Sequence, residues 1–295
     1  MASSTLASAT ARWTPARRRP ALAARLWRHP SARTGGLLLV VVLGGALFAP
    51  VLTPYDPVRI APDLRLTPPT LVHPLGNDLY GRDTLTRVLY GGRISLAVGG
   101  LSVGLALTVG GAMGALVGYW GGWFDTVVMR ISDVLLAFPA ILLAIGLLAF
   151  LGGGFWNVVL AIGIIFTAPM ARVARAAVLA VRHEEYVDAA EAVGAGDLRI
   201  LRRHILPNAA APLVVESTLR LALAILAEAA LSFLGLGTQP PTPTWGQMIA
   251  EGRTVMTFTP WPAIGPGLAI TITVLGFNLV GDGIRDAVDP HAHRA

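Results

Sequence analysis

The chain has no cysteine among its 295 residues, and its 23 basic residues are all arginine. The first absence removes thiol nucleophiles, disulfide frameworks and thiolate metal sites. The second removes two chemistries that need a lysine amine, the P-loop that reaches the outer phosphates of a nucleotide and Schiff-base catalysis. Any nucleotide hydrolysis coupled to this chain must therefore come from a partner. Charge is scarce as well, at 14% of residues against about a quarter in a soluble domain. What replaces it is apolar: 54% of residues are hydrophobic and the mean hydropathy is +0.63. The composition points to lipid. A spanning helix takes about 20 apolar residues, so the length allows about six spans and little else, which reads as one all-α integral membrane domain over residues 35–283.

Residues 1–34 carry seven arginines, no acid and many Ala, Ser and Pro, a composition unable to bury enough apolar surface to order itself. A disordered tail is expected there, and a second short tail over residues 284–295. Apolar runs place spans at residues 35–52, 94–119, 127–151, 156–181, 209–236 and 264–280. The basic start and first run together look like a secretory signal, but Leu47, Phe48 and Pro50 occupy the window where small residues would permit cleavage, so an uncleaved first span is expected. Pro139 and Pro169 predict kinks in the third and fourth spans. Residues 53–92 and 237–263 form polar, proline-punctuated loops, and residues 183–208 are the one sizeable polar segment deep in the chain.

Orientation follows from arginines near short loops. The tail predicts a cytoplasmic N-terminus, and six spans return the C-terminus to the same side. Residues 183–208 are then cytoplasmic, flanked by Arg172, Arg175, Arg182, Arg199, Arg202 and Arg203. The formal charge of +6 fits a membrane surface better than nucleic acid, since the arginines sit at the ends of apolar runs and form no stripe. Gly110, Gly114 and Gly118 share one helical face, a close-packing device in lipid. Ionisable groups within spans must be paired or face water. Glu216 and Arg220 stand four apart and can pair. Glu228 has no helical partner at that spacing and lies toward the outer end, which makes it the leading candidate for lining a pathway, with Asn278 behind it.

The segment from Glu185 to Asn208 predicts two short helices around a turn. Gly194 and Gly196 supply positive φ, Asp197 is a ready N-cap, and Pro207 is expected to stop the second helix. Ala189, Ala190 and Ala192 offer a small face on which another protein can settle. His73 reads as a loop residue, and His291 and His293 near the C-terminus are weak metal ligands. No histidine falls inside a span, so an intramembrane enzyme lacks its nucleophile and base.

Asp188-Ala189-Ala190, Gly194 four residues on, and Ile205-Leu206-Pro207 resemble the cytoplasmic loop of binding-protein-dependent ABC importer permeases, with Asp188 where the family usually has Glu. Three further blocks resemble the dipeptide, oligopeptide and nickel branch of that family: His73 to Asp83, Leu231 to Gly246, and Asn278 to Pro290. Within the branch they look like the C-type subunit. The resemblance implies a type I importer permease fold with six spans and a coupling helix that docks on an ATPase. It also implies a homologous second permease subunit in a heterodimer, two ATP-binding subunits that hold ATP and Mg, an extracytoplasmic substrate-binding protein, and no cofactor on this chain. Peptides are the implied substrate class, with nickel or another small solute as the alternative. A membrane scaffold without transport would have no use for an ATPase-docking loop.

Overall fold

The computed structural model describes residues 29–288, which are mostly helical, with no strand among them. Residues 1–28 of the expected tail, and His291 and His293, lie outside the described residues. The first helix, α1 (Pro30–Leu47), starts with proline in its first turn, where a missing N–H costs no hydrogen bond. It ends at Phe48, and Pro50 opens the short α2 (Ala49–Leu52). The helix thus begins before the expected span over residues 35–52, and the chain breaks at Phe48 within it. Gly35 lets α1 approach the last helix: an added Cβ would lie 2.7 Å from both the Gly276 carbonyl oxygen and the Leu279 Cβ.

The second long helix, α3 (Thr84–Trp120), begins ten residues before the apolar run that announced it, since 37 residues are helical. Asp83 sets that start by accepting at Oδ2 from the Thr86 backbone N–H at 2.7 Å and from its hydroxyl at 2.6 Å. A helix of this size is about 55 Å long, against about 30 Å of hydrocarbon. Its first turns therefore stand clear of the lipid, and the segment before it folds back on them.

Next come α4 (Gly122–Ala137) and α5 (Ala140–Leu151), separated at Pro139 and bent by 95°. Phe138 before the proline is extended, with ψ 140°, as steric clash with the ring requires. Pro139 thus breaks its span outright. Pro169, by contrast, lies inside α6 (Phe155–Arg182), which runs past it as one helix. The glycine row of α3 meets α6: Cβ atoms added at Gly110, Gly114 and Gly118 would meet backbone carbonyls of Thr167, Ala171 and Arg175. Backbones in contact leave no room for side chains between them.

Beyond α6 come α7 (Glu185–Ala192), α8 (Asp197–Ile200), a π-helical turn over Leu201–Ile205 and α9 (Leu206–Phe233). A short α10 (Trp245–Arg253) tucks back into the end of the bundle away from residues 183–208, and α11 (Trp261–Val288) closes it, helical beyond the expected ends of both the sixth span and the domain. An apolar core of Val98, Val103, Leu148, Ile162, Phe166 and Leu231 sits where α3, α5, α6 and α9 meet. Among the described residues five helices are long and apolar enough to cross a membrane, or six with the bent α4–α5 pair taken as one span.

Candidate coupling loop and polar groups of the spans

Residues 183–208 fold as a compact hairpin against the ends of α3 and α6. Helix α7 ends in a paired cap: the Gly194 N–H donates to the Glu191 carbonyl at 2.9 Å and the Ala195 N–H to the Ala190 carbonyl at 3.0 Å. This arrangement needs a left-handed residue at Gly194, whose φ is +82°. Gly196 does not share it. At φ −71° it is extended and is itself the residue preceding α8, with Asp197 the first residue of that helix rather than its cap.

The Asp197 carboxylate is used elsewhere, accepting at Oδ1 from the Tyr119 hydroxyl of α3 at 3.1 Å. Arg182, ending α6, donates to the Tyr119 carbonyl and lies 5.2 Å from its ring centroid. Beneath the hairpin, Val187, Ile200, Leu201 and Ile205 are buried with Ala115, Tyr119, Val178 and Ala209. Ala190 belongs to this underside and is half-buried, which corrects its expected place on the outer face. Asp188, Ala189, Ala192, Val193 and Gly194 remain exposed. Pro207 is exposed at the start of α9, where it is tolerated for its missing N–H, so it opens the fifth span instead of stopping the helix before it. Leu206 beside it is half-buried.

Within the spans, Arg220 Nε donates to Glu216 Oε1 at 2.6 Å, and the guanidinium lies 5.3 Å from the Phe166 ring centroid. Both side chains keep part of their surface exposed, 18% for Glu216 and 24% for Arg220. Glu228 is different. It is 1% exposed, accepts from the Ser232 hydroxyl at 2.6 Å, and stands beside Ser95 of α3. The reading that it lacks an i, i+4 partner is corrected, because a serine fills that place. Asn278 is half-buried on α11 and makes no side-chain hydrogen bond among the described residues.

Two polar clusters escaped sequence reasoning. At the end away from residues 183–208, Arg82 donates to Asp78 at 2.6 Å and to Glu251 at 2.6 Å, while fully buried Arg87 lies 3.4 Å from Asp78 and 3.3 Å from Glu251. The His73 to Asp83 block is thereby tied to α10, which the Trp245 indole also anchors by donating to the Val88 carbonyl at 2.9 Å. The Asp78 to Arg82 spacing of four was a local signal; the reach to Glu251 had none. His73 stands 2.8 Å from Asp83, and no group of three or more metal-binding side chains exists among the described residues. Toward the other end, Arg175 pairs with Asp125 at 2.5 Å and Arg172 pairs with Asp133, joining α6 to α4.

Residues 110–294 match the family model of the binding-protein-dependent transport system inner membrane component, and residues 21–69 match that of the N-terminal TM domain of oligopeptide transport permease C. A putative peptide transport system permease protein of Brucella abortus is 48% identical over 91% of this chain and 90% of its own. A dipeptide transport system permease protein of Alkalihalophilus pseudofirmus is 43% identical over 90% and 88%. A glutathione transport system permease protein of Pectobacterium atrosepticum is 45% identical over 90% and 89%. Among solved structures, the MetNI methionine ABC transporter in an inward-facing form aligns with a TM-score of 0.55 at 20% identity, covering 69% of this chain and 97% of that one.

Proposed function

Since the chain belongs to the binding-protein-dependent transport system inner membrane component family, we propose that it is the C-type permease subunit of a peptide importer, paired in the membrane with a homologous second permease. Two ATP-binding subunits hold ATP and Mg and do the hydrolysis, an extracytoplasmic binding protein delivers the peptide, and both termini lie in the cytoplasm. This chain carries no catalytic residue and no cofactor of its own. Peptides are favoured over nickel by the peptide, dipeptide and glutathione names of its relatives.

The observation that carries the reading is the two-faced hairpin at residues 183–208. Its underside is buried on α3 and α6 through Val187 and Ile205, while Asp188, Ala189 and Gly194 stand free on the outside. A loop clamped from within and presented outward can pass displacement from an ATPase to the bundle. ATP binding closes the ATPase pair, the hairpin follows, and helices around the pathway re-orient, provided that nucleotide binds the two arrangements unequally. Along the pathway, the partly exposed Glu216–Arg220 pair and Asn278 are better placed than Glu228, whose burial between α9 and α3 supports a structural role.

The test is ATP hydrolysis by the reconstituted complex in the presence of the loaded binding protein. Gly194→Asp and Ala189→Arg are expected to leave insertion intact and to lose most of the stimulation, because each puts charge and bulk on the presented face. Wild-type stimulation in both variants would remove the coupling assignment.

A further inference from the structure

Helix α9 has two unlike faces. Ala224, Ile225, Glu228 and Leu231 are buried in the bundle, while Leu219, Leu223 and Leu226 are exposed. Glu216 and Arg220 share the uncovered face, since residues three, four and seven apart are neighbours on a helix. The pair stands at mid-depth. Arg220 lies about 21 Å along α9, a helix of 28 residues and so about 42 Å long, and its ring neighbour Phe166 is near the middle of α6. Ionised groups at that level are too costly to face hydrocarbon, so this stripe borders water or another protein.

The pair is also left unfinished. Arg220 directs Nε and Nη2 to a single oxygen, Glu216 Oε1, at 2.6 Å each. Glu216 Oε2 and Arg220 Nη1 make no hydrogen bond among the described residues. The Phe166 ring, 5.3 Å from the guanidinium, steadies it, and the Nη1–Nη2 edge remains an open fork. Such a fork takes both oxygens of a carboxylate. A protein interface pairs the polar groups that it buries, whereas a water-filled path leaves them open to a passing solute. Leu219 and Leu223 beside the fork supply apolar surface for the rest of that solute.

We propose that Arg220 is a transit subsite for the free α-carboxylate of the transported peptide, with Glu216 as the positioning residue that neutralises and aims the guanidinium while the path is empty. The subsite deepens the peptide-importer reading and rests on it. A peptide with a free C-terminus seats both carboxylate oxygens on the open edge. An amidated peptide brings no charge and leaves Arg220 to Glu216 alone. The spans thus check the end of a peptide that the binding protein has already selected.

The experiment measures ATP-driven uptake by proteoliposomes holding the whole complex, with binding protein and peptide outside and ATP inside. The probes are dialanine and trialanine, each with a free C-terminus and as the C-terminal amide. The binding protein is the same throughout, so a change in the free-to-amide ratio between variants belongs to this chain. Arg220→Gln is expected to lower that ratio several-fold, Arg220→Lys to keep part of it, and Glu216→Gln to raise it, because the competing carboxylate is gone. A pair that only braced α9 would move both glutamine variants alike. A ratio unchanged in Arg220→Gln, or shifted the same way in both glutamine variants, overturns the proposal. So does loss of the second permease from Arg220→Gln and Arg220→Lys alike, which would assign the pair to the subunit interface. Leu223→Cys on the same face is expected to react with a hydrophilic methanethiosulfonate in the assembled complex, more slowly when the free peptide is present but not the amide. No reaction there overturns the proposal by closing the face to water. Labelling at Leu223→Cys with an unshifted ratio refutes the subsite and leaves the pathway standing, whereas a wild-type complex that takes up none of these peptides removes the peptide-importer reading and the subsite with it.

Discussion

At Gly114 an added methyl group would fall 2.7 Å from the Ala174 Cβ and closer still to the Ala171 carbonyl oxygen, with neither neighbour free to move because both belong to α6. Gly104, on the same helix, has open space around the equivalent position. Gly114→Ala is therefore expected to lower the unfolding free energy of the solubilised subunit by about 1–3 kcal/mol, as overpacking does. Gly104→Ala should leave it unchanged or raise it slightly through a better helix propensity. Thermal unfolding in mild detergent reads both, and equal effects would mean that the glycine row is not a helix seam. The spacing of four that marks this seam was legible in the sequence, whereas the partner helix was not, because a glycine carries no label for what it touches. Glu228 shows the converse. Its partner Ser232 lay in plain view four residues on, but a search for compensating charge passes over a hydroxyl that donates equally well.

At the scale of elements, the hairpin of residues 183–208 is held by apolar contact more than by its own hydrogen bonds. Val187 is fully buried, and burying such a side chain contributes about 1.5–3 kcal/mol. Val187→Asp should free α7 from the bundle, so amides of residues 185–205 should exchange hydrogen at least about tenfold faster, while the α3–α6 pair keeps its protection. Unchanged exchange in the hairpin would show that its docking does not depend on that contact. The helix–turn–helix outline and the left-handed Gly194 could be read from local sequence, as could most of the spans. The boundaries could not. Apolar composition marks where lipid begins, but α3 starts where Asp83 caps it, and α9 opens directly after the π turn with Pro207 in its first turn. The bend of 95° at Pro139 and the unbroken helix through Pro169 likewise depend on whether neighbouring helices hold the segment together.

For the whole molecule, a chain without cysteine is a clean background for mapping sides of the membrane. Single cysteines at Asp63 and Thr242 are expected to react with an impermeant maleimide in intact cells, and those at Ser4 and Val193 only after the membrane is opened. Labelling of Val193→Cys in intact cells would invert the topology and remove the coupling loop from the ATPase side. The longest helix adds a mechanical consequence. Thr84–Trp120 is held at one end by Tyr119 to the hairpin and at the other by buried Arg87 near Asp78 and Glu251, and a glycine seam fuses it lengthwise to α6. A beam so fixed behaves as a lever: over about 55 Å, a tilt of about 5° carries the far end through about 5 Å. On the proposed coupling role, displacement at the hairpin reaches the loop that precedes Thr84 as rigid travel, with no relay of side-chain rearrangements in between.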